Sequence, residues 1–271
     1  QNAKATEYNT NVNTILKNAN DAFNAKKYDE AISLYDQGTQ AAPEEPVFHR
    51  NKATALNIRG VQKFIAASKL AAAERVAGKE EARKDFKAAI EESEKAVAMQ
   101  KAKAASGDKT STGDPSTALD LLNTRTESYR LASQTDTPVD PDVAIKAIEE
   151  YVAVETDATK KAEGQIVIGD VYFNSGRVAE AIAMYKQVLA SNPNAINAMR
   201  GLGIALTVDP TGPKYAEARD LLQQFVDKAP ENHPRRAETL DSVRYLDETM
   251  KTEASNKAED AKKKSTKTRR P

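Results

Sequence analysis

The sequence predicts an all-α protein built from stacked pairs of antiparallel helices. Two observations support this class: a helical motif recurs along the chain, and 39% of the residues are apolar although only 6% are aromatic. Alanine supplies much of the apolar fraction, and small residues favour helix over sheet and let neighbouring helices approach closely. We therefore expect an array of layers that each bury a modest face, rather than one large core.

The recurring motif is a pair of helices with a small residue in the first and an alanine in the second. The clearest copy, in residues 162–195, contains Ile168, Gly169, Tyr172, Ala181, Tyr185 and Pro193. The next copy contains Leu202, Gly203, Leu206, Ala218, Leu222 and Pro230, and an earlier copy contains Ala19, Ala31, Tyr35 and Pro43. In all three, the proline follows the alanine by twelve residues, and a larger apolar residue lies four after the alanine. The small residues allow the two helices to cross closely, and the proline ends the second helix.

This pattern, with a period of about 34 residues, resembles the tetratricopeptide repeat (TPR) family over roughly residues 14–252. The resemblance implies a right-handed superhelical solenoid of about five antiparallel helix pairs, with a concave face lined by the first helix of each pair. It implies binding to other proteins and no single ligand.

The chain is predicted to divide along these repeats. The segments are a polar N-terminal segment (1–13), repeat one (14–45), repeat two with an extended helical hairpin (46–106), a loop (107–115), a divergent repeat three (116–158), repeat four (159–194), repeat five (195–232), a capping helix (233–252) and a basic tail (253–271). The hairpin is expected because the insertion in repeat two is rich in alanine and lacks proline. Its first helix should run from about 47 to 77 and turn near Gly78. The hairpin either projects as a contact arm or packs back on the array.

The capping helix and the tail are expected to differ in order. An apolar stripe of Ala237, Leu240, Val243 and Leu246 predicts the helix. The tail after it has no such stripe, so we expect it to lack fixed structure.

No catalytic residue, metal site or cofactor motif is recognisable, so the sequence favours a protein that is not an enzyme. There is no cysteine, and the two histidines, His49 and His233, belong to opposite ends of the array. Each histidine is expected at the surface or between helices. No apolar stretch approaches the ~18 to 20 residues of a membrane-spanning helix.

The resemblance also implies where a partner would bind. In this family partners contact the first helix of a repeat at its second, fifth, ninth and twelfth positions. These positions carry Asn13, Leu16, Asn20 and Phe23 in repeat one; Glu163, Ile166, Asp170 and Phe173 in repeat four; and Asn197, Arg200, Ile204 and Thr207 in repeat five. The two phenylalanines either anchor a partner or belong to the core.

The tail offers a second candidate contact, for a polyanion or an acidic protein patch. Its basic residues are Lys262, Lys263, Lys264, Lys267, Arg269 and Arg270. Because no aromatic residues are interleaved with them, sequence-specific binding of nucleic acid is not expected.

Two functions remain open at this stage. The first is a scaffold of the cell envelope or exterior that holds a segment of another protein. The second is a subunit that assembles with itself into a filament, tube or ring, which we consider because 40 basic and 40 acidic residues cancel to zero net charge. An exported location, in the periplasm, on the cell surface or outside the cell, is expected from a chain that starts at Gln1 without a methionine.

Overall fold

The computed structural model describes residues 2–106 and 115–267, and these residues form helices and short connections without a strand. Most of the predicted loop at 107–115 therefore lies outside the described residues. The helices are α1 (Asn2–Asn24), α2 (Tyr28–Ala41), α3 (Pro46–Ser68), α4 (Ala72–Ser106), α5 (Pro115–Gln134), α6 (Pro141–Val154), α7 (Ala158–Asn174), α8 (Val178–Ser191), α9 (Ile196–Leu206), α10 (Tyr215–Lys228) and α11 (Arg236–Lys267). The all-helical class is confirmed. The chain forms two compact units, residues 1–164 and 165–271, which we call the N-terminal and C-terminal units.

Proline and aspartate mark the helix boundaries as expected. Helices α2, α8 and α10 each end two residues before the proline of their repeat. At the start of α6, Asp140 caps the helix, since its carboxylate accepts a hydrogen bond of 2.9 Å from the backbone N–H of Asp142. Pro141 follows at the first helical position, where its missing N–H costs nothing.

The N-terminal unit is a series of helices in which each packs on the next along the chain, from α1 to α6. In its first buried cluster the largest side chains are Tyr35 of repeat one and Phe48 of repeat two. The alanines at positions 19 and 31 are fully buried beside them. The small residues of the motif therefore lie where the helices come closest.

The C-terminal unit contains the two clearest copies of the motif. Helices α8, α9, α10 and α11 pack in sequence. Gly169 contacts the ring of Tyr185, and Gly203 contacts Leu222 and the carbonyl oxygen of Ala218. Both glycines therefore lie at crossings of the first and second helices of their repeats, as predicted.

The extended hairpin of repeat two is present, but its turn is not where the sequence was expected to place it. Helix α3 ends at Ser68 and α4 begins at Ala72, so the turn precedes Gly78. Gly78 lies inside α4, where an added Cβ would be 2.7 Å from the Cβ of Ala67. Gly78 therefore allows α3 and α4 to approach each other closely, and it does not form the turn.

The hairpin is covered along only part of its length. Phe86 of α4 belongs to a buried cluster with Leu131 and Ala132 of α5, and Val61 and Phe64 of α3 pack against it. Residues 68–77, around the turn, are all exposed.

Both ends of the chain are more helical than expected. Helix α1 begins at Asn2, within the segment predicted to precede the first repeat, and α11 continues past residue 252 to Lys267. The expectation that the tail lacks structure is therefore wrong as far as Lys267. In the capping part of α11, Val243 and Leu246 are buried and Leu240 packs against buried residues, while Ala237 is exposed. None of the described helices is long and apolar enough to cross a membrane.

Candidate functional site

An open groove lies in the C-terminal unit between α9, α10 and α11, and we call it the C-terminal groove. Its cavity volume is about 820 Å³, within the ~300 to 1,000 Å³ of typical ligand pockets. It is lined by Ile204, Thr207, Val208, Tyr215, Leu222, Glu238, Asp241, Ser242, Tyr245 and Leu246. Val208 is 53% exposed and Tyr245 is 68% exposed. The groove thus presents apolar side chains to solvent beside two carboxylates and four hydroxyl-bearing residues.

Arg200 joins α9 to α11, two of the three helices that line this groove. Its Nε donates a 3.1 Å hydrogen bond to Oγ1 of Thr239, and its Nη2 donates one of 3.1 Å to Glu238. Burial lowers the pKa of Arg200 from its ordinary value, while the nearby Glu238 carboxylate opposes this shift. Arg200 therefore links α9 to the first turn of α11 beside the groove.

A second, smaller groove lies in the N-terminal unit between α3 and α5, and we call it the N-terminal groove. Its cavity volume is about 510 Å³, and it is lined by Thr54, Asn57, Ile58, Val61, Gln62, Asn123, Thr124, Glu127, Arg130 and Leu131. The buried Asn57 donates from Nδ2 to Oγ of Ser128 over 2.9 Å. Its Oδ1 accepts no hydrogen bond from the described residues.

The predicted groove residues of repeat one mostly serve the repeat itself. Asn13 is exposed, whereas Leu16 and Phe23 pack against the core of the N-terminal unit. The ring of Phe23 also meets the ring of Tyr28 edge to face at 5.6 Å. Oδ1 of Asn20 accepts 2.8 Å from the hydroxyl of Tyr35 and 3.2 Å from Nδ2 of Asn51.

In repeat four, as in repeat one, the residue at the ninth position accepts a hydrogen bond from a tyrosine of the same repeat. Asp170 accepts a 2.6 Å hydrogen bond from the hydroxyl of Tyr185, fifteen residues later, as Asn20 does from Tyr35. Burial raises the pKa of the Tyr185 hydroxyl, and the neighbouring Asp170 raises it further, so the tyrosine remains a donor. Of the other predicted positions, Ile166 is buried, Phe173 is half-buried and Glu163 is exposed.

Repeat five is where predicted residues meet an open cavity. Ile204 and Thr207 line the C-terminal groove, and Asn197 is exposed on the same helix. Arg200 is instead occupied by its contacts with α11. Of the twelve predicted positions, Ile204 and Thr207 thus line one of the two grooves described here.

Three of the other lining residues were missed because the position rule was applied to three helices only. Carried to α3, with Ala53 at the small-residue position, the rule names Thr54 and Asn57, and both line the N-terminal groove. Carried to α11, it names Asp241, which lines the C-terminal groove. No signal in the sequence singles out Val208 or Tyr245.

A buried ionic cluster joins α3 and α4, away from both grooves. His49 hydrogen-bonds Oε2 of Glu92 through Nδ1, and Lys52 lies 3.2 Å from Oε1 of Glu92 and 2.5 Å from Asp36. Burial alone would raise the pKa of Glu92. The bond to His49, together with Lys52 and with Lys95 at 3.1 Å, outweighs burial and lowers that pKa to about 2. His49 therefore lies between helices, one of its two expected positions. Over the described residues, no three His, Cys, Asp or Glu side chains are grouped to hold a metal ion.

The predicted polyanion contact falls at the end of α11. Lys262, Lys263, Lys264 and Lys267 belong to the helix, but their side chains lie outside the described residues, as do Arg269 and Arg270 altogether. That contact therefore stays a prediction.

Comparison with known proteins agrees with the repeat architecture. Residues 166–233 match a family model described as the tetratricopeptide repeat. No curated protein sequence gives a significant match.

Solved structures extend the likeness over most of the chain. YrrB, described as a TPR protein with an unusual peptide-binding site, is 14% identical with a TM-score of 0.55, and the match covers 89% of this chain and 97% of YrrB. MamA from Desulfovibrio magneticus RS-1, from residue 41 to its end, is 12% identical with a TM-score of 0.54 over 80% of this chain and 94% of MamA. A further MamA structure is 17% identical with a TM-score of 0.51, over 80% and 91% of the two chains. Residues 166–233 thus match the tetratricopeptide repeat family, and the likeness to these solved structures shows that the chain shares the tetratricopeptide repeat fold.

Proposed function

We propose that the chain is a non-enzymatic scaffold of the cell envelope or exterior, which binds a segment of another protein in the C-terminal groove. The TPR fold is one that mediates contacts between proteins. The observation that carries the proposal is the exposure of Tyr245 and Val208 beside Ile204 in an open cavity. Aromatic side chains of this kind are enriched where proteins bind each other.

The chemistry of the groove describes the segment it would take. Ile204, Val208 and Tyr245 favour an apolar side chain, since burying apolar surface contributes about 25 cal/mol per Å². Glu238 and Asp241 accept hydrogen bonds, so a segment with amide or basic donors next to that apolar side chain fits best. YrrB, which shares the fold, has a peptide-binding site, and this supports a peptide ligand here.

A random peptide library tests the proposal because it samples segments of every chemistry that the groove could take. Peptides would be selected on the wild-type chain from a displayed library, and their affinities measured by fluorescence polarisation. Tyr245→Ala and Ile204→Asp should each weaken the selected peptides at least about tenfold, as expected for residues central to an interface.

A matched control separates the groove from exposed aromatic residues in general. Tyr8 of α1 is also about half exposed but lies in the other unit, so Tyr8→Ala should leave the affinities unchanged. Arg200 is unsuitable as a probe because its replacement would also loosen α11. Peptides that bind all variants equally would show that the groove is not the binding site.

Self-assembly is a second candidate, and exposed apolar side chains on both units favour it. Val143 and Val154 are exposed on the N-terminal unit, and Val208 and Tyr245 on the C-terminal unit. A contact between two different surfaces of identical chains produces rings or open helices. Light scattering after size exclusion, at low and high salt and rising concentration, would detect them. Monomers under every condition would end this candidate.

A further inference from the structure

The turn of the α3–α4 hairpin carries an unusual concentration of exposed apolar side chains. We call residues 65–79 the hairpin tip. Ile65, Leu70 and Val76 are 53%, 41% and 69% exposed, and they are three of the eight large apolar side chains that are exposed among the described residues. Alanines at positions 66, 71, 72, 73 and 77 are exposed between them. An accumulation of this kind marks a contact surface rather than ordinary surface composition.

This surface is held in a defined shape. The guanidinium of Arg75 donates hydrogen bonds of 3.2 Å from Nε and 3.0 Å from Nη2 to the carbonyl oxygen of Leu70. The backbone N–H of Leu70 donates to the carbonyl of Ala67 over 3.1 Å. Close contact between Gly78 and Ala67 keeps the two helices together up to the turn. The apolar side chains are therefore presented by a closed turn and not by a frayed end.

The tip is also basic, although the whole chain is neutral. Residues 69–79 contain Lys69, Arg75 and Lys79 against Glu74 alone, a net charge of +2. Nζ of Lys79 lies 4.7 Å from the centre of the Phe64 ring, which places this charge beside α3 at the base of the tip. Glu80 and Glu81 follow directly, and they pair with Arg83 at 3.4 Å and with Lys84 at 2.5 Å. Asp85 is likewise paired with Arg59 and Lys63.

The hairpin tip is small, and its exposed apolar side chains lie next to the basic residues Lys69, Arg75 and Lys79. From this combination we infer that the hairpin tip docks on the surface of an anionic lipid bilayer. Apolar side chains at such a surface enter the boundary of the acyl chains, while lysine and arginine extend to the headgroups. A stable protein interface instead needs about 800 Å² and 20 to 30 residues on each side, more than a tip of fifteen residues offers. The inference concerns a different surface from the C-terminal groove and does not depend on it.

Vesicle sedimentation tests the inference with the full chain. The vesicles would be phosphatidylcholine alone or a mixture with anionic phosphatidylglycerol, and the measured quantity is the fraction of protein bound. We expect binding to the anionic vesicles only. Leu70→Asp with Val76→Asp should weaken that binding at least tenfold, and Lys69→Glu, which reverses one charge and keeps the apolar end, should weaken it roughly thirtyfold. Val143→Asp, at a similarly exposed valine of α6, is the matched control and should bind as the wild type does.

A fluorescent reporter shows what covers the tip. The chain contains no tryptophan, so Val76→Trp introduces a single one. Its emission should shift to the blue with anionic vesicles and stay unchanged when the protein is concentrated without lipid. Absent binding to anionic vesicles, or equal binding by the tip variants, would overturn the inference. A blue shift on concentration alone would also overturn it, because a second copy of the chain would then be the partner.

Discussion

Replacing Gly169 by alanine tests how tightly the ring of Tyr185 is held in the C-terminal unit. A Cβ at position 169 would lie 2.6 Å from Cε1 of Tyr185 and 3.0 Å from Cδ1 and Cζ. The ring cannot simply move away, because Gly201 approaches it equally closely and its hydroxyl is bonded to Asp170. Tyr185 is also almost completely buried. The added methyl group must therefore displace either a helix or the ring.

The expected magnitude is a balance of two terms. Overpacking a tight core costs about 1 to 3 kcal/mol, and a ring confined on both sides belongs in the upper part of that range. Alanine in place of glycine inside a helix contributes about 1 kcal/mol in the opposite direction. Gly169→Ala should therefore lower the free energy of unfolding by about 1 to 2 kcal/mol.

Urea unfolding followed by circular dichroism measures this value. The test is sharpened by repeating the substitution in a Tyr185→Leu background, where the ring is gone. There the same alanine should be neutral or stabilise by up to about 1 kcal/mol, because only the helix preference remains. If Gly169→Ala is stabilising in the wild-type background, the crossing is looser than described and the reasoning fails.

Three further predictions rest on buried polar contacts. The folded-state pKa of Glu92 is lowered from 4.5 to about 2. Its contribution to the free energy of unfolding is therefore present above pH 4.5 and lost as the pH falls toward 2. Unfolding measured over this pH range should show a loss of about 3 kcal/mol, which Glu92→Gln abolishes. Tyr185→Phe should cost about 1.5 to 3 kcal/mol because its acceptor is a carboxylate, whereas Tyr35→Phe, with an amide acceptor, should cost about 0.5 to 1.5 kcal/mol; equal losses in urea unfolding would contradict this. Arg200→Met should speed amide hydrogen exchange in the first turns of α11, since it removes the bond to Thr239, and unchanged exchange there would show that Arg200 does not hold the helix.

The repeats could be predicted because their spacing reflects packing that every copy shares. Gly169 and Gly203 were assigned to helix crossings from spacing alone, and the structure has them there. The ninth-position residues Asn20 and Asp170 were assigned to a partner, yet both accept a bond from a tyrosine of their own repeat. Family position alone does not distinguish a side chain that faces a partner from one that closes the repeat.

The ends of the chain and the hairpin turn escaped prediction for a different reason. Residues 7–11 of α1 and 251–259 of α11 are helical but exposed, so they have no apolar stripe from which periodicity could detect a helix. At the hairpin, a glycine suggested a turn, but the turn is closed by Arg75 and the glycine serves helix contact. Glycine can either form a turn or allow two helices to approach closely, and its neighbours in space determine which of the two occurs.

The ring of Tyr185 has a consequence for how the C-terminal unit opens. It is set between Gly169 of α7 and Gly201 of α9, so one side chain from α8 touches both neighbouring helices. In repeat proteins, the coupling between adjacent repeats determines whether they unfold one by one or together. Here repeat five cannot separate from repeat four without exposing this ring to water. We therefore expect the two repeats to unfold together as a single cooperative element.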